Sequence, residues 1–182
     1  MALVDGTKIA IGTPCPDFDL PAVDGNRYKL SDFTDKDVLI VIFTCNHCPY
    51  AVAVEDRIIQ LRQDLEGYSA QMVGICSNDP NYVPQDSFDN LSKRWEQKGY
   101  GFPYLHDLEQ TVAKDFGAAC TPEFFVYGPD RKLAYHGRLD DNWENPRKVT
   151  RRELKEAVDL LLDGKPVDFK QMPSMGCSIK WR

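Results

Sequence analysis

Two cysteines three positions apart, Cys45 and Cys48, stand in the stretch F-T-C-N-H-C-P-Y, with His47 between them and Pro49 directly after. A thiol pair beside an imidazole can exchange electrons as a dithiol–disulfide couple, hold a metal, or simply fill space in a core. Redox chemistry makes the most specific demand on position. A C-x-x-C at the start of a helix puts both sulfurs within bonding reach in the first turn. The first sulfur then lies near unsatisfied N–H groups, where the helix dipole favours negative charge. Free cysteine titrates near ~8.5, whereas C-x-x-C cysteines fall to about 3.5–7.5. The thiolate is the species that attacks a disulfide. Cys45 is therefore expected to attack, and Cys48, one turn deeper, to resolve. An imidazolium at His47 would stabilise the Cys45 thiolate and tune the couple; the alternative is a solvated loop histidine without a role.

A structural zinc site needs four ligands, commonly two such pairs or a pair with histidines. This chain has one C-x-x-C and no H-x-x-x-H. No metal is expected, although a site built from Cys45, Cys48 and a third cysteine brought in by folding stays open as an alternative.

The surrounding sequence must supply a strand end and a helix start. Residues 38–44, V-L-I-V-I-F-T, are a continuous apolar run rich in β-branched side chains, which suits a central strand buried on both faces. From 49 to 66, Ala51, Val54, Ile58, Leu61 and Leu65 recur at helical spacing, with Glu55, Arg57, Gln60, Arg62 and Asp64 mostly opposite. Pro49 fits the first turn and Gly67 the stop. A second strand is predicted at 71–76 and a helix at about 85–98, joined by a polar loop with two prolines. A short strand at Tyr104–Leu105 and a short helix at 109–116 follow. Residues 123–127 and 131–136 flank G-P-D as a hairpin, and 149–162 is an amphipathic helix ending in an extended tail over 163–182. Near the start, D-G at 24–25 between F-D-L and Y-K-L marks another hairpin, so 1–33 reads as an N-terminal hairpin extension. This order predicts one α/β domain over 1–182, a mixed central sheet with helices on both faces.

At this point the chain resembles the thioredoxin-like superfamily. The features are strand, C-x-x-C, helix, and then Thr121-Pro122 before a hairpin. The resemblance implies a cis bond at Pro122, packed against the cysteines, with Thr121 offering backbone hydrogen bonds to substrate. The opening G-T-P-C-P-D-F-D-L-P-A-V-D-G with L-S-D-F resembles the redoxin branch, the alkyl hydroperoxide reductase/thiol-specific antioxidant group. C-N-H-C-P and the ending G-C-S-I-K-W are similar to one subgroup described as peroxiredoxin-like. The likeness covers about residues 9–162 and implies a thiol-disulfide oxidoreductase, or else an antioxidant peroxide reductase.

Several positions depart from these patterns. The peroxiredoxin P-x-x-x-T-x-x-C fits neither cysteine: the threonine position is Cys45 or Ile42 and the proline position Val41 or Val38. Thioredoxin's tryptophan before the first cysteine is Thr44 here, and its buried aspartate is Leu39. A histidine before the second cysteine belongs to more oxidising relatives, at about −180 to −120 mV against about −270 mV for thioredoxin, and an intermediate potential is expected.

Cys177, in the tail, and Cys120, two residues before Pro122, are candidates for a third redox cysteine; Ile179 and Trp181 could anchor that tail. Cys15, Cys76, His106 and His136 read as structural, and Trp95 and Trp143 as packing or groove residues. The net charge of −6 argues against nucleic acid, and no apolar run is long enough for a membrane span. No G-x-G-x-x-G is present, so no cofactor is expected and electrons should arrive from a thiol donor. The expected reaction partner is a disulfide-containing protein or a small thiol. The N-terminus lacks the features of a secretory signal, which sets the expectation of a cytoplasmic protein.

Overall fold

The computed structural model describes residues 3–182. The apolar run becomes β4 (Val38–Phe43), every residue of it buried. Because side chains alternate along a strand, Val38, Ile40 and Ile42 face one core while Leu39, Val41 and Phe43 face the other. This double burial explains the absence of a polar position in the run. β4 pairs in parallel with β5 (Ala70–Cys76), which pairs in parallel with β6 (Tyr104–His106). On its other side β4 runs antiparallel to β8 (Glu123–Tyr127), and β8 to β9 (Leu133–Gly137). The sheet order is β6-β5-β4-β8-β9.

Helices α1 (Pro49–Asp64), α2 (Phe88–Lys98) and α4 (Glu153–Leu162) supply residues such as Val54, Leu91 and Val158 to the first core. The second core takes Val112, Ala113 and Phe116 of α3 (Thr111–Phe116). It also takes Phe18, Ala22 and Phe33 from the N-terminal segment. The mixed sheet with helices on both faces is the thioredoxin-like arrangement that the sequence implied. α4 begins only at Glu153, because the 149–152 stretch follows a short turn at Pro146–Lys148 rather than continuing a helix.

The hairpin around Asp24-Gly25 forms as β2 (Asp19–Pro21) and β3 (Arg27–Lys29), with Gly25 at φ 87°, where L side chains are strained. The N-terminal segment holds more than this hairpin. Leu3–Asp5 is β1, and its partner is the far end of the chain. The tail is likewise more than extended coil: Met175–Ser178 forms β10, antiparallel to both β1 and β7 (Cys120–Thr121). Ile179 is buried and anchors it, whereas Trp181 is 42% exposed. Two buried amides do the rest. Asn78 accepts from Lys180 N–H at 2.8 Å, and Gln110 donates to the Lys180 carbonyl at 2.8 Å and accepts from Arg182 N–H at 2.9 Å.

Candidate active site

Cys45 follows the end of β4 and Cys48 is the N-cap of α1, so the pair sits where the strand hands over to the helix. Pro49 occupies the first helical position, where its missing N–H is no loss. Thr121 and Pro122 come from the segment leading into β8, and the bond between them is cis. Thr121 touches both sulfurs. Its Oγ1 lies 3.2 Å from Cys45 Sγ, and its carbonyl accepts from Cys48 Sγ at 3.1 Å. Cys177, on β10, is the cross-strand neighbour of Thr121, and it lies near enough to Cys48 for each sulfur to shift the other's titration. Three thiols from two segments therefore meet around one threonine from a third. Among the described residues no two cysteines are joined by a disulfide.

The site is closed. Cys45 is 4% exposed, Cys177 1%, and Cys48 not at all. Burial pushes the Cys45 thiol well above its ordinary value, with the Cys48 sulfur and the Asp86 charge adding to the rise. The hydrogen bond from Cys45 pulls Cys48 the other way, down to about 4 against the cost of burial, with help from Cys177 and the Ala51 N–H. The dipole argument put the depressed thiol at Cys45; in the resting pair the charge rests on Cys48. A thiolate there is badly matched to the Thr121 carbonyl, which accepts only from a protonated sulfur. Moving the one shared proton from Cys45 to Cys48 satisfies both contacts: Cys48 then donates to the carbonyl, and the Thr121 hydroxyl donates to a Cys45 thiolate. The pair thus has two arrangements of one proton.

His47 is not a solvated loop residue. Its Nδ1 is 2.6 Å from Oδ2 of Asp86, whose side chain is wholly buried, and its own side chain is 11% exposed. Asp86 also accepts from the Asn46 N–H at 2.7 Å and from Asn78 Nδ2 at 2.8 Å. His47 Nε2 is buried without a partner. Cys45, His47 and Asp86 each offer a ligand atom within 4.8 Å of the others. A structural zinc would want a fourth ligand, and the short His47–Asp86 contact already pairs two of the three.

The sequence reading missed Asp86. Its signal is topological: parallel β4 and β5 end at the same edge of the sheet, so the loop after β5 must lie beside the loop carrying the cysteines. Glu55, placed on the outer face of α1, is instead buried and takes Arg94 at 2.6 and 2.8 Å and the Tyr100 hydroxyl at 2.6 Å. It lines one small cavity with Cys45, Thr44 and Ile58. Cys120 is buried and hydrogen-bonds the Pro122 carbonyl at 3.9 Å rather than either sulfur of the pair. His136 is held by Glu123, a fully buried carboxylate that also accepts from the Ala119 and Cys120 N–H groups. Beyond Pro122 a cavity of about 220 Å³ opens, bordered by Val54, Phe124, Leu139, Trp143 and Met175, with the Trp143 ring 4.4 Å from that of Tyr50.

The profile of the AhpC/TSA family matches residues 11–136, more than half of the chain. The chain belongs to the AhpC/TSA family. An uncharacterized conserved protein from Geobacillus kaustophilus has a similar crystal structure at 41% identity, with a TM-score of 0.95 over 100% of this chain and 97% of that one. The thiol-disulfide oxidoreductase ResA of Geobacillus thermodenitrificans is 22% identical over 129 residues, covering 70% of this chain and 68% of ResA. A putative peroxiredoxin of Mycobacterium tuberculosis is 23% identical over 112 residues, 62% of this chain and 66% of the relative. Of these last two relatives, the first is described as a thiol-disulfide oxidoreductase and the second as a putative peroxiredoxin. Among the described residues no helix is long and apolar enough to cross a membrane.

Proposed function

We propose that this AhpC/TSA protein is a thiol-disulfide oxidoreductase working by dithiol–disulfide exchange at Cys45 and Cys48. The observation that carries the reading is the double contact of Thr121, hydroxyl to Cys45 and carbonyl to Cys48, beside the cis Pro122. The proton passes from Cys45 to Cys48, and the Cys45 thiolate attacks one sulfur of a substrate disulfide. The substrate's other sulfur leaves as a thiolate and takes a proton. Cys48, deprotonated again, attacks Cys45 Sγ; the mixed disulfide breaks, reduced substrate departs, and Cys45–Cys48 is oxidised. A thiol donor restores the pair. In reverse the same steps oxidise a dithiol. His47, pinned by Asp86 and within 4.8 Å of Cys45 by its ring nitrogen, is the tuning residue of this reading. The cavity beyond Pro122 is the natural place for the substrate chain flanking its disulfide.

The test is to equilibrate the native protein in graded glutathione buffers and map its disulfides by mass spectrometry. A two-electron transition at Cys45–Cys48 is expected, with a midpoint between about −270 and −120 mV. A pair that stays reduced throughout would end the proposal.

The closure of the site favours a second reading, peroxide reduction. A hydroperoxide is small enough for a site in which Cys45 is 4% exposed. Cys45 would become a sulfenic acid, releasing an alcohol or water, and Cys48 would condense with it to the disulfide and water. Rapid loss of two thiols at one equivalent of peroxide distinguishes this reading from the first.

A further inference from the structure

Cys177 stands apart from the exchange described above, yet it is built into the site. β10 places it opposite Thr121, whose carbonyl accepts from Cys48 Sγ, and it is buried with the other two in one core cluster. Its strand is held in place from both sides: β1 flanks it, Gly176 lies so close to the Thr121 carbonyl that a Cβ there would fall 2.0 Å from the oxygen, and Asn78 and Gln110 clamp the residues beyond. Cys48 is thus a central sulfur with a thiol neighbour on each side, Cys45 and Cys177.

We propose that Cys177 is a third redox residue, which takes over the disulfide from Cys45 and carries it as Cys48–Cys177. The proposal rests on the exchange chemistry assigned to Cys45 and Cys48 above. The Cys177 thiolate attacks Cys48 Sγ of the Cys45–Cys48 disulfide. The Cys48–Cys177 bond forms, the Cys45–Cys48 bond breaks, and Cys45 leaves as a thiolate that takes up the proton Cys177 gave away. One disulfide exists before and after, so no outside oxidant or reductant enters. The result is a freed Cys45 and a terminal strand stapled to the start of α1.

The trigger is the oxidation itself. In the reduced cluster burial raises the Cys177 thiol to about 12, and the Cys48 sulfur adds to that, while Lys180 works against it. Closing Cys45–Cys48 removes the Cys48 charge, and with it one of the causes that keep Cys177 protonated. Deprotonation of Cys177 is therefore easier once there is a disulfide for it to attack, although its burial persists.

The experiment uses the full chain, oxidised over a range of glutathione ratios, quenched in acid, alkylated and mapped by peptide mass spectrometry. The wild-type protein should show both Cys45–Cys48 and Cys48–Cys177. Their sum should follow the glutathione ratio, while the proportion between them should not change, because the two are isomers at one oxidation level. Cys45→Ser should still close Cys48–Cys177, and Cys177→Ser should close only Cys45–Cys48. Wild-type protein with Cys45–Cys48 alone at every ratio, together with a Cys45→Ser variant that keeps both remaining thiols, overturns the proposal and leaves the exchange reading standing. If Cys177→Ser also fails to close Cys45–Cys48, both fall. The wild-type map needs no substitution, so a variant that misfolds does not remove the test.

Discussion

Replacing Thr121 with valine removes one hydroxyl and keeps the shape, the cis bond's neighbour and the carbonyl. The lost contact is the 3.2 Å approach of Oγ1 to Cys45 Sγ. A hydrogen bond to a charged group is worth about 1.5–3 kcal/mol, which is roughly 1.1–2.2 pKa units against the Cys45 thiolate. Two effects then oppose each other. The attacking arrangement, with the proton on Cys48, becomes rarer by that full factor. The surviving thiolate is more basic and so more nucleophilic, with a Brønsted slope of about 0.4–0.5. Population wins, because the compensation recovers at most half of the loss on a logarithmic scale. The net expectation is a roughly 4- to 20-fold slower exchange. Cys45 and Cys48 share one proton over a wide range, so the loss should be the same at every pH between about 5 and 8. The assay is stopped-flow reaction of the reduced protein with a small aromatic disulfide, followed by release of its thiol. An unchanged rate would remove Thr121 from the mechanism. A wild-type rate that climbs tenfold per pH unit across this window would show Cys45 titrating as an isolated thiol, and the shared-proton argument would fail with it.

Other perturbations reach the elements around the pair. Asp86→Asn deletes the acceptor used by His47 and Asn78; at about 1.5–3 kcal/mol for each charged hydrogen bond and about 2–4 °C per kcal/mol, the melting temperature should drop by roughly 6–24 °C. A calorimetric shift under about 3 °C would show that the dyad is not held as described. Gly176→Ala sets a methyl group 2.0 Å from the Thr121 oxygen. Overpacking of this kind costs about 1–3 kcal/mol, so the population with β10 undocked, read as alkylation of the buried Cys177 by iodoacetamide in the native protein, should rise roughly 5- to 150-fold. Reduced protein should keep one thiolate, seen by its ultraviolet absorbance, down to pH about 4, where Cys48 is protonated, and Cys48→Ser should lose it. Because the folded value of Cys48 lies below that of an unfolded cysteine, near ~8.5, its stabilisation is complete above that pH, shrinks as pH falls, and is gone below about 4. Denaturant titrations of the reduced wild type and Cys48→Ser should therefore converge as the pH drops from 8 to 4.

The parts of the fold that were legible in the sequence are those fixed by local rules. Val38–Phe43 had no polar residue because both its faces are buried, and the run said so directly. Pro49 and the spacing of Ala51, Val54, Ile58 and Leu61 located α1 for the same reason. Glu55 shows the limit of the pattern. A charged residue counts as outward in a periodicity argument, and only the arrival of Arg94, Lys98 and Tyr100 from distant segments makes its burial tolerable. The tail shows another limit. Met175–Ser178 contains too little β-branched or aromatic character to announce a strand; it pairs because β1 and β7 present free edges on either side of it. Asp86 falls at the start of the helix expected over about 85–98, but lies in the short turn Pro84–Asp86 ahead of α2, and its burial comes from three donors converging on it.

The same convergence decides what can react at the thiols. A disulfide is cleaved by approach of the attacking sulfur along the S–S axis, and a folded protein carrying one cannot present that line to a sulfur that is 4% exposed. Cys177 is buried in the same cluster, on β10 opposite Thr121. On the exchange proposal, reaction with a protein disulfide requires the site to open, and lifting β10 would break the short β7–β10 ladder and free the Thr121 edge at the same moment. Reaction with a hydroperoxide requires no such movement. If β10 is the element that moves, its docked and undocked states would suit the two reactions proposed above. The proposed Cys48–Cys177 bond would then hold the strand in the docked state once the pair has been oxidised. On these proposals substrate choice and redox state would be coupled through a single segment, because the third sulfur is carried by β10.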